Sequence, residues 1–129
     1  MNEENKIKIT KFTDLYAWQE GHKLVIEIYE ITKEFPKEER FCLIDQMRRA
    51  AVSITSNIAE GFSRLSYLEK IRFYSIGQGS LTEIQNQLII SKYLNYLTIQ
   101  VFDGIFKQTE VVHKLINGLI KGARIINNS

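Results

Sequence analysis

The sequence is poor in the residues that break helices and in those that carry chemistry. Its 129 residues include one cysteine, one proline and two histidines. A lone thiol, Cys42, forms no internal disulfide and cannot supply a cysteine zinc site. That usage fits a reducing, bacterial-type cytoplasmic setting. No apolar run approaches the ~18 residues of a membrane span, so no membrane association is expected. The opening "MNEENKIKIT" has no apolar core of a secretory leader. The two histidines, His22 and His113, and the lack of a nucleophile-elbow pattern leave no arrangement for nucleophilic catalysis. No catalytic residue, cofactor or metal is therefore expected.

Charge of one sign is also scarce. The net charge is +2, too small by itself to mark a nucleic-acid binder. Its distribution says more. Residues 1–36 carry 5 Lys/Arg against 7 Asp/Glu, residues 37–97 carry 8 against 6, and residues 98–129 carry 4 against 2. Several copies arranged in a ring would repeat the basic patches and strengthen the local field.

What the chain has in abundance is helical periodicity. With Pro36 the one proline and no alternating strand pattern, the spacing predicts four helices. The first spans roughly residues 14–34, capped by Thr13 or Asp14, with Ala17, Leu24, Ile28 and Ile31 on one face. The second spans roughly 37–60, with Glu38 and Glu39 in its first turn and Gly61 as a C-terminal cap. Its stripe is Ile44, Met47, Ala51, Ile54 and Ile58, stepping 3, 4, 3, 4 as in a bundle seam. The third spans roughly 66–96, opened by a capping box of Ser66 and Glu69. The fourth spans roughly 98–126, with a stripe through Phe102, Ile105, Thr109, Val112, Ile116, Leu119, Ala123 and Ile126. Short connections imply an all-α, antiparallel up-down-up-down four-helix bundle over residues 13–126. Residues 1–12 are expected to form a flexible N-terminal arm, and 127–129 a short tail.

The stretch "QMRRAAVSITSNIAEG" raises the functional question. At 100° per residue, Asn57 lies about 90° from the seam of the second helix, with Ser53 and Glu60 further round. These flanks are short and polar where a merely solvated face would carry long Lys and Glu. Two readings stand. Ser53, Asn57 and Glu60, with Ser80 and Glu83 on the third helix, form a polar network between helices or subunits. Alternatively, they belong to a ligand or nucleic-acid site. Arg48 and Arg49 either pair with Glu60 or Glu83 or clamp phosphate. Arg40, Arg48, Arg49, Arg64, Lys70 and Arg72 cluster on the second helix and the start of the third. Tyr67, Phe73 and Tyr74 lie among them, and aromatics beside arginines can stack unpaired bases. The candidate nucleic-acid contacts are Arg48, Arg49, Arg64, Lys70 and Arg72.

Other motifs are weaker. Glu110 and His113 have the i, i+3 spacing of di-iron bundles, but no second copy exists, so a surface pair is expected. "GQGSLT" lies in a helical pattern, follows no strand, and is better explained by close packing at Gly77 and Gly79. Cys42 is expected to be a small apolar filler.

The run "FPKEERFCLIDQMRRAAVSITSNIAEGFSR" resembles the signature of a four-helix bundle family. That family is encoded within intervening sequences of bacterial 23S ribosomal RNA genes and is also called the S23 ribosomal protein family. "FTDLYAWQ", "GSLTEIQNQL" and "SKYLNYL" match it in order, from about Phe12 to Leu97. The shared motif includes Gln46, Arg48, Arg49, Ser53, Asn57, Glu60 and Gly61, then Ser80 and Glu83. Cys42 departs from a frequent glycine, and "IISKYL" is more polar than the usual alanine-rich run. The resemblance implies a homopentameric ring. It also implies kinship with the accessory variability determinant proteins of diversity-generating retroelements, basic pentamers that bind nucleic acid and a reverse transcriptase. The expected partners are thus further copies of the chain and RNA, DNA or a nucleoprotein. A purely structural protein–protein module is the alternative.

One expectation is independent of that resemblance. The third helix is apolar nearly all the way round, through Leu68, Ile71, Phe73, Tyr74, Ile76, Leu81, Ile84, Leu88, Ile90, Tyr93 and Leu97. A small monomer buries a helix on one side only. Helix three, with helix two, is therefore expected to supply a subunit interface, and Gly77, Ser80 and Ser91 to admit another helix closely.

Overall fold

The computed structural model describes residues 8–129, and every regular element among them is helical. The α-helices are α1 (Tyr16–Thr32), α2 (Leu43–Ser63), α3 (Tyr67–Tyr93) and α4 (Ile99–Asn127). Single 3-10 turns at Phe12–Asp14 and Lys37–Glu39 precede α1 and α2. Neighbours in sequence pack on one another, and α1 closes the bundle against α4. Periodic apolar spacing without a breaker forms the helices, and burial of their stripes holds them together.

The core is the expected seam with local shifts. Met47, Ala51, Ile54 and Ile58 of α2 are completely buried, and Leu43 is buried where Ile44 is only half covered. Leu24 and Ile28 of α1, Leu81, Ile84 and Leu88 of α3, and Val112 and Ile116 of α4 complete it. Ile120 is buried in α4, whereas Ile126 is exposed. Each fully buried Leu, Ile, Val or Met side chain contributes about 1.5–3 kcal/mol by leaving water.

The helix ends differ from the expectations in instructive ways. The cap position of α1 is Leu15, which has no side-chain acceptor. Asp14 instead serves the turn before it, accepting from the backbone N–H groups of Thr10 at 3.0 Å and Lys11 at 3.1 Å. Those donors hold its carboxyl below the usual carboxylate range. Of the expected N-terminal arm, residues 1–7 lie outside the described residues. Phe12 meets Trp18 edge-on at 5.5 Å.

The expected second helix is interrupted. Cys42 adopts φ −118° and ψ −103°, so Lys37–Glu39 forms a separate turn and α2 starts at Leu43. Cys42 is exposed and fills no core space. Glu38 and Glu39 therefore precede α2, whose first turn carries Asp45. At the other end α2 runs on through Gly61 to Ser63. Its final carbonyls are met by Lys70 Nζ, which donates to Phe62 O at 2.7 Å and Gly61 O at 3.4 Å. This is a cationic cap on a helix C-terminus.

Ser66 caps α3, accepting from Glu69 N at 3.3 Å, which is the first half of the expected capping box; the Glu69 side chain does not return a bond to the Ser66 backbone. At the end of α3, Asn95 has φ 62°. Asn95 N donates to Lys92 O at 3.0 Å and Tyr96 N to Ser91 O at 2.9 Å, the pairing of a Schellman motif. Tyr96 then packs on Phe35 with tilted rings 5.2 Å apart and donates its hydroxyl to Glu39 Oε2 at 2.8 Å. The α3–α4 turn is thereby tied to the α1–α2 link.

Candidate interaction site on the second and third helices

The small residues of α2 and α3 bring the two backbones together. A Cβ on Gly77 would lie 3.5 Å from Ile54 O and 3.6 Å from Asn57 Cβ. Beside this approach, Ser53 Oγ and Ser80 Oγ share a hydrogen bond of 2.8 Å. Asn57 Nδ2 donates to Ser53 O at 2.8 Å and to Ser53 Oγ at 3.0 Å. Three of the five expected network residues thus meet, between two helices of one chain. Their polar atoms fix the register of α2 on α3. Glu60 and Glu83 stay outside. Glu60 accepts from Arg64 at 2.9 Å, and Glu83 is exposed on α3.

The cations do not form a single patch. Arg48 is half-buried and points back to α1. Its Nε donates to Thr32 Oγ1 at 2.9 Å, its terminal nitrogen to Tyr29 O at 3.4 Å, and its guanidinium lies 4.7 Å from the Tyr29 ring centroid. It therefore covers the C-terminal end of α1, where a cation is favoured. No carboxylate among the described residues lies within ion-pair reach of it. Arg49 pairs with Asp45 at 3.0 Å. Neither arginine pairs with Glu60 or Glu83; twelve residues of helix put Glu60 about 18 Å from Arg48. Tyr29, Asp45, Arg48, Arg49, Val52 and Ser56 line an open groove of about 530 Å³.

Arg64 and Lys70 sit at the far end of α2, about 24 Å along the axis from Arg48. Arg64 is held by Glu60 and lies 4.5 Å from the Phe73 ring centroid. Lys70 is occupied as the α2 cap, and its burial lowers its pKa. Tyr74 is buried in the core, and burial raises the pKa of its hydroxyl. Arg72 is exposed on the outward side of α3.

That outward side is the most unusual surface. Leu68, Ile76, Ile90 and Tyr93 are 63, 48, 40 and 78% exposed. At 100° per residue their mean direction lies about 180° from the buried stripe of Tyr74, Leu81, Ile84 and Leu88. Arg72, Gly79 and Glu83 lie between them. Gly79 faces open space, so close packing within the chain accounts for Gly77 alone.

Both histidines lie on the surface. Glu110 and His113 are exposed, and the His113 carbonyl accepts from Gln78 at 3.1 Å. His22 is exposed and stacks on Trp18 at 4.9 Å. Among the described residues no group of His, Cys, Asp and Glu is gathered for a metal ion. None of the described helices is long and apolar enough to cross a membrane. Sequence reasoning missed Lys33, Lys37 and Phe41, which flank Pro36 and surround a second groove with Arg40 and Arg48. The signal was a cluster of basic residues on either side of the one proline.

The model of a family described as 23S rRNA-intervening sequence protein matches residues 13–118. The chain belongs to the 23S rRNA-intervening sequence protein family. The match extends beyond the quoted motifs to cover most of α4. A crystal structure of a protein of unknown function from the S23 ribosomal protein family of Bacteroides thetaiotaomicron shares the fold. It has a TM-score of 0.75 at 22% identity, covering 81% of this chain and 95% of that one. No curated protein matches the chain in sequence. In this chain the longest quoted motif contributes the α2 half of the serine–asparagine contact and both arginines of the first groove.

Proposed function

We propose that the chain is a non-catalytic scaffold that assembles with copies of itself and holds RNA, DNA or a nucleoprotein on its basic surfaces. In this reading the bundle is antiparallel, up-down-up-down. The order of contacts supports that topology, since Met47 meets Ser91, Ser53 meets Ser80 and Gly61 meets Tyr74. The assembly is a homopentameric ring in the cytoplasm, kin to the accessory variability determinant proteins of diversity-generating retroelements.

The observation that carries self-assembly is the outward side of α3. Four large apolar side chains stand there opposite a stripe that already fills the core. Water contact along such a face is unfavourable, and a second copy would relieve it. Arg72 and Glu83 on the same side supply opposite charges for register between copies. Nucleic-acid binding rests on Arg48, whose charge is unmatched by a described carboxylate, and is strengthened by repetition around a ring.

The alternative, a structural module without nucleic-acid contact, is favoured by one observation. Arg49 and Arg64 are already ion-paired, and Lys70 is spent as a helix cap. Titration of labelled RNA at several salt concentrations separates the two. A scaffold for nucleic acid loses affinity linearly in log salt. Ile76→Glu with Ile90→Glu would dissociate the assembly and weaken RNA binding together. Absence of binding at low salt would leave the structural module as the function.

A further inference from the structure

The corner where α1 gives way to α2 holds a groove of about 510 Å³. Its floor is apolar, formed by the buried Phe35 and half-buried Ile44. Lys33, Lys37, Arg40 and Arg48 stand around it, and no carboxylate lines it. Lys33 is paired with Glu30 at 3.1 Å. Lys37, Arg40 and Arg48 have no ion-pair partner among the described residues. Glu39, next in the chain to Arg40, is engaged by the Tyr96 hydroxyl. At the rim Phe41 is 84% exposed, with the Arg40 guanidinium 5.5 Å from its ring centroid.

From this arrangement we infer that the α1–α2 corner binds single-stranded nucleic acid. Lys37 and Arg40 hold backbone phosphates, and Phe41 stacks on an unpaired base. The inference rests on the nucleic-acid part of the proposed function and gives it a location. The reasons are charge and shape. A groove lined by cations and no carboxylate, with Lys37, Arg40 and Arg48 unpaired among the described residues, matches a polyanion, whereas an apolar partner helix would desolvate those three cations without a counter-charge. A solvent-facing aromatic beside arginine takes the face of any base. A duplex hides those faces inside its stack, so the corner selects single strands. Arg48 also borders the groove toward Ser56, so one strand passing Phe41 continues along α2.

The test is fluorescence anisotropy of the full chain with labelled twelve-residue oligouridylate, oligothymidylate and a blunt duplex of the same length. Lys37, Arg40 and Phe41 are exposed, so their variants keep the fold, which circular dichroism checks. Arg48 stays unchanged because it also ties α1 to α2. Phe41→Ala is expected to weaken single-strand binding by about five- to a hundredfold, and Phe41→Trp to retain it. Lys37→Ala with Arg40→Ala is expected to reduce the slope of log affinity against log salt by about 1.4, two phosphates' worth.

If the wild type binds and these variants bind equally well, the corner is refuted and the scaffold reading stands. Absence of any wild-type binding at low salt removes both. Duplex binding as tight as single-strand binding also overturns the inference. So does a Phe41→Ala variant that changes the assembly's mass and leaves affinity alone.

Discussion

Gly61 and Gly79 are both helical, yet they meet opposite surroundings. A Cβ on Gly61 would lie 2.6 Å from Tyr74 Cε1 and 2.8 Å from Cδ1, whereas nothing lies within 4 Å of one on Gly79. Tyr74 is buried and cannot swing away. Gly61→Ala is therefore expected to cost about 1–3 kcal/mol by overpacking. Gly79→Ala is expected to gain up to about 1 kcal/mol, because alanine loses less backbone freedom on folding. Urea unfolding of both variants at one pH, in the single-chain Ile76→Glu with Ile90→Glu background, checks the opposed signs; destabilisation by Gly79→Ala there would show that the chain itself fills the space beside Gly79. Asn95 offers a third case. Its φ of 62° makes Asn95→Ala about 1 kcal/mol unfavourable and Asn95→Gly neutral or better, again by urea midpoint. In sequence, Gly61 reads as a helix stop because glycine follows a long helical run. Its real constraint is a tyrosine on another helix, which no local pattern encodes. The exposure of Cys42 was hidden for the same reason. Nothing nearby announces that the tie between Glu39 and Tyr96, distant in sequence, shapes the link before α2.

Among the elements, the seams of α1, α2 and α4 were legible because a period near 3.6 directly encodes a buried side. The pairing of Ser53 with Ser80 was legible only as a candidate, since short polar flanks suit a helix contact and a ligand equally. Ser53→Ala removes the hydroxyl that accepts from Asn57 and shares a hydrogen bond with Ser80. It should cost about 1 kcal/mol, measured by thermal or urea unfolding. A variant as stable as the parent would mean the hydroxyl pair does not set the register. The start of α1 carries a pH dependence. Asp14 has a native pKa below its unfolded one because Thr10 and Lys11 donate backbone hydrogen bonds to its carboxylate. A lowered acid pKa adds stability that is complete above the unfolded value, about 4. That stability is lost as pH falls through the native value. The stability difference between the parent and Asp14→Ala should therefore be constant near neutrality and shrink below about pH 4. A difference independent of pH would place its origin elsewhere. The helix boundaries were less legible, because Leu15 and Cys42 end their neighbours by backbone conformation and not by a recognisable cap.

For the whole molecule, the fold and family follow from pattern and motif together, whereas the interaction surfaces needed three dimensions. The five candidate cations look contiguous in sequence order, yet helix rise sets Arg48 and Arg64 about 24 Å apart. Three of them are satisfied within the chain. The corner near Pro36 emerged only once Lys33, Arg40 and Arg48 were brought around one groove. The outward side of α3 is the reverse case. Its excess of apolar circumference was visible from spacing, and the fold leaves Leu68, Ile76, Ile90 and Tyr93 uncovered. Light scattering coupled to size exclusion at micromolar concentration tests the account most directly. It should return a mass several times the 15.1 kDa of one chain, about five times for the ring, falling to a single chain in Ile76→Glu with Ile90→Glu. A wild-type protein that elutes as a clean 15.1 kDa species would contradict self-assembly through α3.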